Sequence, residues 1–241
     1  PLYALFEKML TADAALENGK LCTEARGAMA GIPVSPFFAN IYLSDIDWEF
    51  ERQQVLYFRY SDDILLFADS REELADLQRR LCQALTEHKL ALNPQKLHVS
   101  APGEAFEFLG FSYQDGRIDL SENTIRKMKA KIRRKAHALR RWQLAKGLSG
   151  DKAAKGLIHA MNCKFYGVHD EEEFSWSRWF FPNLTTTKGL EEIDAYMQQY
   201  IRYAATGRHN KANYRIRYAT LKEWGYRNLV HEYYKERKTV E

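Results

Sequence analysis

Two runs of β-branched and aromatic residues, separated by the polar triplet Ser61, Asp62 and Asp63, constrain the fold more than any other feature. Residues 54–60 read QVLYFRY and residues 64–68 read ILLFA. Such runs around a tight polar turn predict a β-hairpin, whose turn exposes side chains at a fixed position. A hairpin is stable only when another layer covers one of its faces. We therefore expect helices to pack beside it.

Helical periodicity flanks the hairpin on both sides. Residues 35–51 begin with Ser-Pro and then keep apolar residues at helical spacing, which predicts one helix of about four turns. Ser70 and Glu73 form a capping box ahead of a second helix. One face of that second helix is predicted to carry Leu74, Leu77, Leu81 and Leu85.

The remaining periodicity completes the fold class. Residues 96–100 and 105–113 predict two more strands, the second closed by the Asp115–Gly116 turn. Residues 2–10 predict a further helix, and the pattern beyond residue 120 is almost wholly helical. The expected fold is α+β, with helices on one face of an antiparallel sheet followed by a mostly helical region.

Charge divides the chain near residue 113. Residues 1–113 carry 10 Lys and Arg against 17 Asp and Glu, whereas residues 114–241 carry 26 basic against 15 acidic residues. This asymmetry indicates a cation-binding region joined to a polyanion-binding one, although two solvated surfaces of opposite sign are an alternative. We place the predicted domain boundary here, giving domains 1–113 and 114–241.

Hydropathy and cysteine content exclude several classes of protein. No apolar stretch approaches the roughly 20 residues that span a bilayer, so we expect no membrane insertion. The three cysteines are far apart and form no C-x-x-C pair, which argues against a disulfide scaffold or a zinc ribbon. A cytoplasmic location fits these observations best.

Asp62 and Asp63 concentrate negative charge at the predicted hairpin tip. Self-repulsion destabilises such a pair unless a cation neutralises it. Hard carboxylate ligands suit Mg²⁺ or Mn²⁺. Ser-Asp-Asp is also a favourable turn sequence, so the triplet by itself leaves a purely structural role open.

Four short motifs follow one another between residues 27 and 113. They are GAMAGIPVSPFFANIYL (27–43), Tyr60-Ser61-Asp62-Asp63, LALNPQK (90–96) and FEFLGF (106–111). In type, order and spacing they resemble the palm motifs of bacterial reverse transcriptases of the group II intron, retron and defence-associated kinds. They correspond there to the Gly-rich segment, the Tyr-x-Asp-Asp catalytic hairpin, the strand after the second palm helix and the primer grip. The resemblance implies a partial palm followed by a basic helical thumb.

The resemblance also implies an activity and a set of site residues. The activity is RNA-directed DNA polymerisation on an RNA template and DNA primer duplex with dNTPs, using two Mg²⁺ or Mn²⁺ ions about 4 Å apart. Asp62 and Asp63 are the implied catalytic residues and metal ligands, and Leu109 and Gly110 the implied primer grip. The implied nucleotide- or template-binding residues are Gly31, Pro33, Ser35, Tyr60, Ser61 and Lys96.

Simpler explanations exist for some of these residues. The beginning of a helix after a turn accounts equally well for the Gly31–Ser35 segment. A solvated lysine accounts equally well for Lys96. Asp45 and Asp47 are expected to be solvent-exposed or to form a salt bridge on their own helix face.

Two departures from the family patterns affect the expected activity. Ala30-Gly31 and Ser35-Pro36 differ from the pairs typical of group II and diversity-generating enzymes, which leaves the subfamily open, antiviral-defence enzymes included. The family's other catalytic Asp lies on an earlier strand, and nothing in residues 1–26 resembles that strand; we interpret Asp13 as a surface residue. We therefore expect a fragment that is weak or inactive until the missing N-terminal fingers and palm region, or a partner subunit, completes it.

The second half contains a strongly basic helical segment. Residues 126–146 contain ten Lys and Arg and no acidic residue. Helical spacing predicts one apolar face, formed by Ile125, Met128, Ile132, Leu139 and Trp142. Such a helix suits the phosphate backbone of a nucleic-acid duplex, although a solvated face or a membrane-surface helix has the same pattern. The predicted nucleic-acid-binding residues are Arg126, Lys127, Lys129, Lys131, Arg133, Arg134, Lys135, Arg140 and Arg141.

Two functions therefore stand as alternatives. The first is a nucleotidyltransferase of the reverse transcriptase kind. The second is a non-catalytic module that binds RNA or DNA and retains a relict palm. Two clustered carboxylates at a hairpin tip favour the first, because a relict site has no need of them.

Overall fold

The computed structural model describes residues 2–10, 14–17, 20–23, 34–168 and 175–240. The predictions made for Asp13, Gly31 and Pro33 lie outside the described residues. The chain forms two compact units, Pro1–Leu97 and His98–Glu241. The α+β class is confirmed, because small antiparallel sheets in both units are combined with many helices.

The first unit contains four helices and two β-hairpins among its described residues. Strands β1 and β2 pair with each other, as do β3 and β4, and both pairs are antiparallel. In chain order the elements are α1 (Leu2–Leu10), β1 (Ala14–Glu17), β2 (Lys20–Thr23), α2 (Ser35–Tyr42), α3 (Ser44–Arg52), β3 (Tyr57–Tyr60), β4 (Asp63–Leu66) and α4 (Arg71–Glu87).

The predicted single helix over residues 35–51 is wrong, because the chain forms two helices that separate at Leu43. Ser44 begins the second helix, and its hydroxyl donates to the carbonyl of Ile41 at 2.7 Å. Short polar side chains compete in this way with the backbone ladder of a helix. Helix α2 has no fully buried residue, whereas α3 buries Ile46 and Phe50.

Helix α4 confirms three of the four leucines predicted for its buried face, while Leu74 is only half-buried. Leu77, Leu81 and Leu85 are buried and form one cluster with Ile46 and Phe50 of α3. The Ser70 hydroxyl accepts a hydrogen bond from the Glu73 amide at 3.1 Å, as a capping box requires. The Glu73 carboxylate accepts from the Asp69 amide at 2.9 Å, so the reciprocal bond is displaced by one residue.

The second unit begins with a three-stranded antiparallel sheet. Its strands β5 (Phe106–Phe108), β6 (Phe111–Gln114) and β7 (Arg117–Leu120) pair in sequence order, with β6 in the centre. The Asp115–Gly116 turn is confirmed, and both of its residues have positive φ. The strand predicted over residues 96–100 is wrong: a 3₁₀ turn, Pro94–Lys96, occupies its start and no strand follows.

A helical bundle completes the second unit. Helices α5, α6 and α8 pack against one another and bury Ile132, Leu157, Ile193 and Ile201. Within the described part of this unit, the helices are α5 (Glu122–Ala145), α6 (Gly150–Tyr166), α7 (Trp176–Phe180), α8 (Lys188–Thr206), α9 (Tyr218–Glu223) and α10 (Leu229–Val240).

The packing of α5 against α6 defines their register. The position of a Cβ on Gly156 would lie 3.4 Å from a Leu139 methyl group, so these two residues face each other. A short connection joins the helices, which are therefore antiparallel neighbours. Lys131 of α5 lies eight residues from Leu139, and Lys164 of α6 lies eight residues from Gly156. Because both helices rise about 1.5 Å per residue, the two lysines lie at the same height along the helix pair.

The compact units divide at Leu97, earlier than the boundary that charge and motifs predict at residue 113. Residues 98–113 join the second unit because the β5–β6 turn packs on α5. The Gly110 carbonyl accepts hydrogen bonds from the Ser121 amide and the Thr124 hydroxyl, each at 2.9 Å. The functional boundary at residue 113 stays a prediction. Among the described helices, none combines the length and apolar character that crossing a bilayer requires.

Candidate active site

The hairpin predicted around Ser61–Asp63 is present and has a two-residue turn. Strands β3 and β4 pair Tyr60 with Asp63, so Ser61 and Asp62 form the turn. Ser61 has a φ of 59°, in the left-handed region that tight hairpin turns require. Ser61, Asp62 and Asp63 are all exposed. The two carboxylates therefore extend from a rigid tip into solvent.

The chemistry of the tip fits a hard divalent cation. Among the described residues, none donates a hydrogen bond to the side chain of Asp62 or Asp63, and none forms an ion pair with it. Donors from the described part of the chain therefore do not compete with a cation for these oxygens. No cluster of three potential metal ligands occurs within the described ranges. Mg²⁺ characteristically takes one or two protein carboxylates and completes its shell with water and substrate phosphates.

One buried guanidinium ties the hairpin to the helices beneath it. Arg59 lies on β3, and its side chain is only 7% exposed. Its Nε donates to Asp47 Oδ1 of α3 at 2.8 Å, and its Nη2 donates to the other oxygen of the same carboxylate. Its Nη1 donates to the Asn40 amide oxygen of α2 and to the Ser61 carbonyl, each at 3.0 Å. Helices α2 and α3 and the turn therefore share one donor group.

Tyr57 completes this network from the same face of β3. Its hydroxyl donates to Asp47 Oδ1 at 2.8 Å. Burial tends to raise the pKa of Asp47, but hydrogen bonds from Arg59 and Tyr57 outweigh it, and the pKa lies below its ordinary value. Burial, with the adjacent carboxylate, raises the pKa of Tyr57. The carboxylate of Asp47 is therefore ionised and the phenol of Tyr57 neutral at pH 7.

Sequence reasoning missed this network. The expectation that Asp47 is solvent-exposed or paired on its own helix is wrong, because its partners lie on strand β3. Asp45 also finds a distant partner, with an oxygen 3.0 Å from His88 Nε2. Strand alternation was the available signal, since Tyr57 and Arg59 point to the same face. Nothing local in the sequence identifies Asp47 as their partner.

The structure places the predicted nucleotide- and template-binding residues as follows. Ser35 is the first residue of α2, the helix that reaches the hairpin through Asn40. Tyr60 is exposed and directly precedes the turn. Lys96 ends the 3₁₀ turn after α4 and is exposed. Ser35, Tyr60, Ser61 and Lys96 thus all belong to the first unit, and their contacts with a nucleotide stay predictions.

The predicted primer-grip residues form a tight turn in the second unit. Leu109 and Gly110 connect β5 and β6, with φ values of 51° and 88°. A Cβ on Gly110 would lie 2.9 Å from the Thr124 hydroxyl and 3.3 Å from the Phe180 ring. This position therefore requires glycine. The turn lies against the N-terminal end of the basic helix α5.

The basic residues of α5 differ in what surrounds them. Lys129 pairs with Glu192 of α8, Arg126 donates to Asn123, and Arg140 donates to Gln143. A groove on this side of α5 is lined by three basic and three acidic side chains. They are Arg126, Lys129, Arg133, Glu107, Glu122 and Glu192.

A second exposed side of α5 carries cations without acidic partners among the described residues. Lys127, Lys131, Arg134 and Arg141 are exposed, and helical spacing aligns them in one stripe, which we call the outer stripe. No acidic side chain of the described residues pairs with them. Partial burial and the nearby charges of Lys164 and Arg134 lower the pKa of Lys131. Lys164 of α6 therefore extends this positive surface across two helices.

The apolar face predicted for α5 is confirmed in part. Met128 and Ile132 are buried, and Ile125 and Leu139 pack against the same core. Trp142 was placed on this face wrongly, because it is 45% exposed. Gln143 is buried on this face instead, and its side-chain amide donates a hydrogen bond to the Leu148 carbonyl. Trp142 lies beside the outer stripe, while Lys135 is exposed and Arg133 borders the groove.

Comparison with known families bears on the first unit and the start of the second. The family model described as "Reverse transcriptase (RNA-dependent DNA polymerase)" matches residues 2–113. The matched range contains the Asp62–Asp63 hairpin and the Leu109–Gly110 turn. This part of the chain is therefore similar to the reverse transcriptase family.

Individual relatives are similar to 47% to 68% of this chain. The chain is 24% identical to the retron Ec86 reverse transcriptase of Escherichia coli over 117 residues, 47% of this chain and 37% of that protein. It is 27% identical to Protein P of Heron hepatitis B virus over 121 residues, 50% of this chain and 15% of that protein. For Protein P of a United States strain of Duck hepatitis B virus, identity is 23% over 170 residues, 68% of this chain and 20% of that protein.

These matches leave much of each relative uncovered. The chain spans 37% or less of the length of each of the three. The reverse transcriptase match ends at residue 113, before helix α5 begins. The outer stripe and the helical bundle are therefore assigned from their own chemistry.

Proposed function

We propose that this chain forms part of an RNA-directed DNA polymerase that transfers nucleotides to a primer 3′-hydroxyl. The observation that carries the proposal is the exposed Asp62–Asp63 pair at a two-residue hairpin tip within the reverse transcriptase match. A tip of this kind holds two carboxylates at a fixed position on a rigid element.

Asp62 and Asp63 are the proposed ligands for Mg²⁺ or Mn²⁺. When bound, the cations supply charge neutralisation at the reacting phosphate and activation of the primer hydroxyl. The two side chains hold the site and orient it relative to β3 and β4. The proposal takes the family's other catalytic carboxylate from outside these 241 residues, either from the same polypeptide or from a partner subunit.

The other proposed contacts follow from the resemblance of the motifs to those of the family. Lys96, exposed after α4, is proposed to meet the triphosphate of the incoming dNTP. Ser35 and Tyr60, with Gly31, Pro33 and Ser61, are proposed to face the nucleotide and template. Leu109 and Gly110 are proposed to contact the primer end. A cytoplasmic location and a defence or retroelement role are retained as predictions.

The outer stripe is the proposed contact with the phosphate backbone of the template–primer duplex. Its cations have no acidic partner among the described residues, so binding a phosphate breaks no ion pair. Cations in the groove toward α8 face an equal number of carboxylates. The two sides of α5 are therefore expected to contribute unequally to binding.

Replacing Lys131 and Arg134 together by alanine is expected to weaken duplex binding and to lower the salt slope of log affinity by about 2, because two phosphate contacts are lost. Fluorescence anisotropy of an RNA–DNA duplex between 50 and 200 mM salt measures both quantities. Arg126→Ala with Lys129→Ala is the matched control, which removes equal charge from side chains already engaged. Equal salt slopes for the two double variants would contradict the assignment to the outer stripe.

Primer extension tests the proposed activity directly. The complete polypeptide containing these residues is expected to extend a DNA primer on an RNA template with dNTPs and Mg²⁺, and to stop on addition of EDTA. Failure to extend on RNA and on DNA templates, with duplex binding intact, would contradict the polymerase. The second candidate, a binding module without catalysis, would then stand, since the unpaired cations of α5 favour polyanion binding by themselves.

A further inference from the structure

Arg59 donates a hydrogen bond to the turn that carries the aspartate pair. It lies on β3, two residues before Ser61, and alternation directs it toward the helices while Tyr60 is exposed. Its side chain is nearly buried. A buried guanidinium is costly unless its N–H groups are satisfied, so its partners reveal its role.

The Arg59 guanidinium donates hydrogen bonds to two separate sets of acceptors. On one side, Nε and Nη2 bind both oxygens of Asp47, which is a bidentate pair. On the other side, Nη1 donates to the Ser61 carbonyl and to the Asn40 side chain, each at 3.0 Å. Asp47 is itself held by the Tyr57 hydroxyl at 2.8 Å. Four N–H groups of one planar cation are thereby engaged.

The hydrogen bond to the Ser61 carbonyl matters because this carbonyl is covalently bonded to the nitrogen of Asp62. Its oxygen belongs to the same planar peptide group as the Asp62 nitrogen. A hydrogen bond that fixes this plane also fixes the positions of the Asp62 nitrogen and Cα, from which the Asp62 side chain extends. Ser61 has a positive φ without being glycine, a conformation of appreciable cost that surrounding contacts must hold in place.

We propose that Arg59, anchored by Asp47, is a positioning residue that holds the Ser61–Asp62 peptide so that both carboxylates can bind one divalent cation. This inference rests on the proposed polymerase function. It adds residues of α2 and α3 to a site that otherwise consists of the hairpin alone. Asn40 contributes by accepting the second Nη1 hydrogen.

Arg59→Lys isolates the positioning role. A lysine keeps the positive charge beside Asp47 but has no planar fork, so it cannot bind that carboxylate bidentately and also reach the Ser61 carbonyl. We expect Mn²⁺ binding to the folded chain, measured by electron paramagnetic resonance, to weaken about tenfold. Asp62→Asn serves as the reference for complete loss of the site.

Arg80→Lys is the matched control in the same unit. Arg80 pairs with Glu49 and lies over the Phe50 ring, with 5.5 Å from Cζ to the ring centroid. Among the described residues, the partners of Arg80 do not include the turn. We expect Arg80→Lys to leave Mn²⁺ affinity unchanged and to shift the denaturation midpoint less than Arg59→Lys, because the Arg80 side chain is more exposed. Circular dichroism confirms that each variant is folded before Mn²⁺ is added.

Each outcome separates this inference from the proposed function. Unchanged Mn²⁺ affinity in folded Arg59→Lys would overturn the positioning role, as would Mn²⁺ binding by the unaltered chain that does not depend on Asp62. Weakened binding in Arg59→Lys alone supports it. A complete polypeptide that binds Mn²⁺ through Asp62 and fails to extend any primer would refute the polymerase while leaving the positioning role intact.

Discussion

Asp62→Asn is expected to abolish DNA synthesis by the complete polypeptide, lowering the rate by on the order of 10³-fold or more, with duplex affinity unchanged. The substitution keeps the shape of the side chain and removes its negative charge. A neutral amide oxygen is a weaker ligand for a hard divalent cation than a carboxylate oxygen. Single-turnover primer extension measures the rate, and anisotropy measures the affinity.

Asp115→Asn is the control for this substitution. Asp115 is also exposed at the tip of a two-residue hairpin turn, between β6 and β7. Its φ of 48° suits asparagine as well as aspartate. We expect its synthesis rate to equal that of the unaltered protein. Synthesis by Asp62→Asn within twofold of that rate would exclude Asp62 as a catalytic metal ligand.

Asp194→Ala is expected to destabilise the second unit by about 3 to 5 kcal/mol, since it removes a buried acceptor from three donors. Asp194 of α8 is 4% exposed. It accepts from the Tyr226 hydroxyl at 2.6 Å, the Leu229 amide at 2.9 Å and the Val230 amide at 3.1 Å. These bonds attach the first turn of α10 to α8.

Urea denaturation followed by circular dichroism measures this loss of stability. Glu191→Ala on the same helix is the control, because Glu191 is exposed and, among the described residues, accepts a side-chain hydrogen bond only from the Thr187 hydroxyl. Its expected cost is below about 1 kcal/mol. A cost for Asp194→Ala no greater than for Glu191→Ala would show that the α8–α10 contact does not depend on this carboxylate.

Local chemistry explains which elements the sequence predicts well. The Ser70 cap, the leucine face of α4 and the Asp115–Gly116 turn each depend on residues within a few positions of one another. The break at Leu43 was missed because periodicity continues across it, while the Ser44 hydroxyl interrupts the backbone ladder. The prediction for Trp142 was wrong because Trp142 and Gln143 are neighbours and only one of them can occupy the core position. Gln143 occupies it, and its amide donates a hydrogen bond to the Leu148 carbonyl there.

The sequence by itself determined the hairpin, its two carboxylates and the basic helix, because turn chemistry, strand alternation and charge density act over short stretches of chain. Tertiary structure alone decided how these parts are supported. Asp47 meets Arg59 across 12 positions, Lys164 joins Lys131 across two helices, and Asp194 caps a helix that begins 35 residues later. Such pairs leave no local pattern, because each partner is selected by the packing that brings distant segments together.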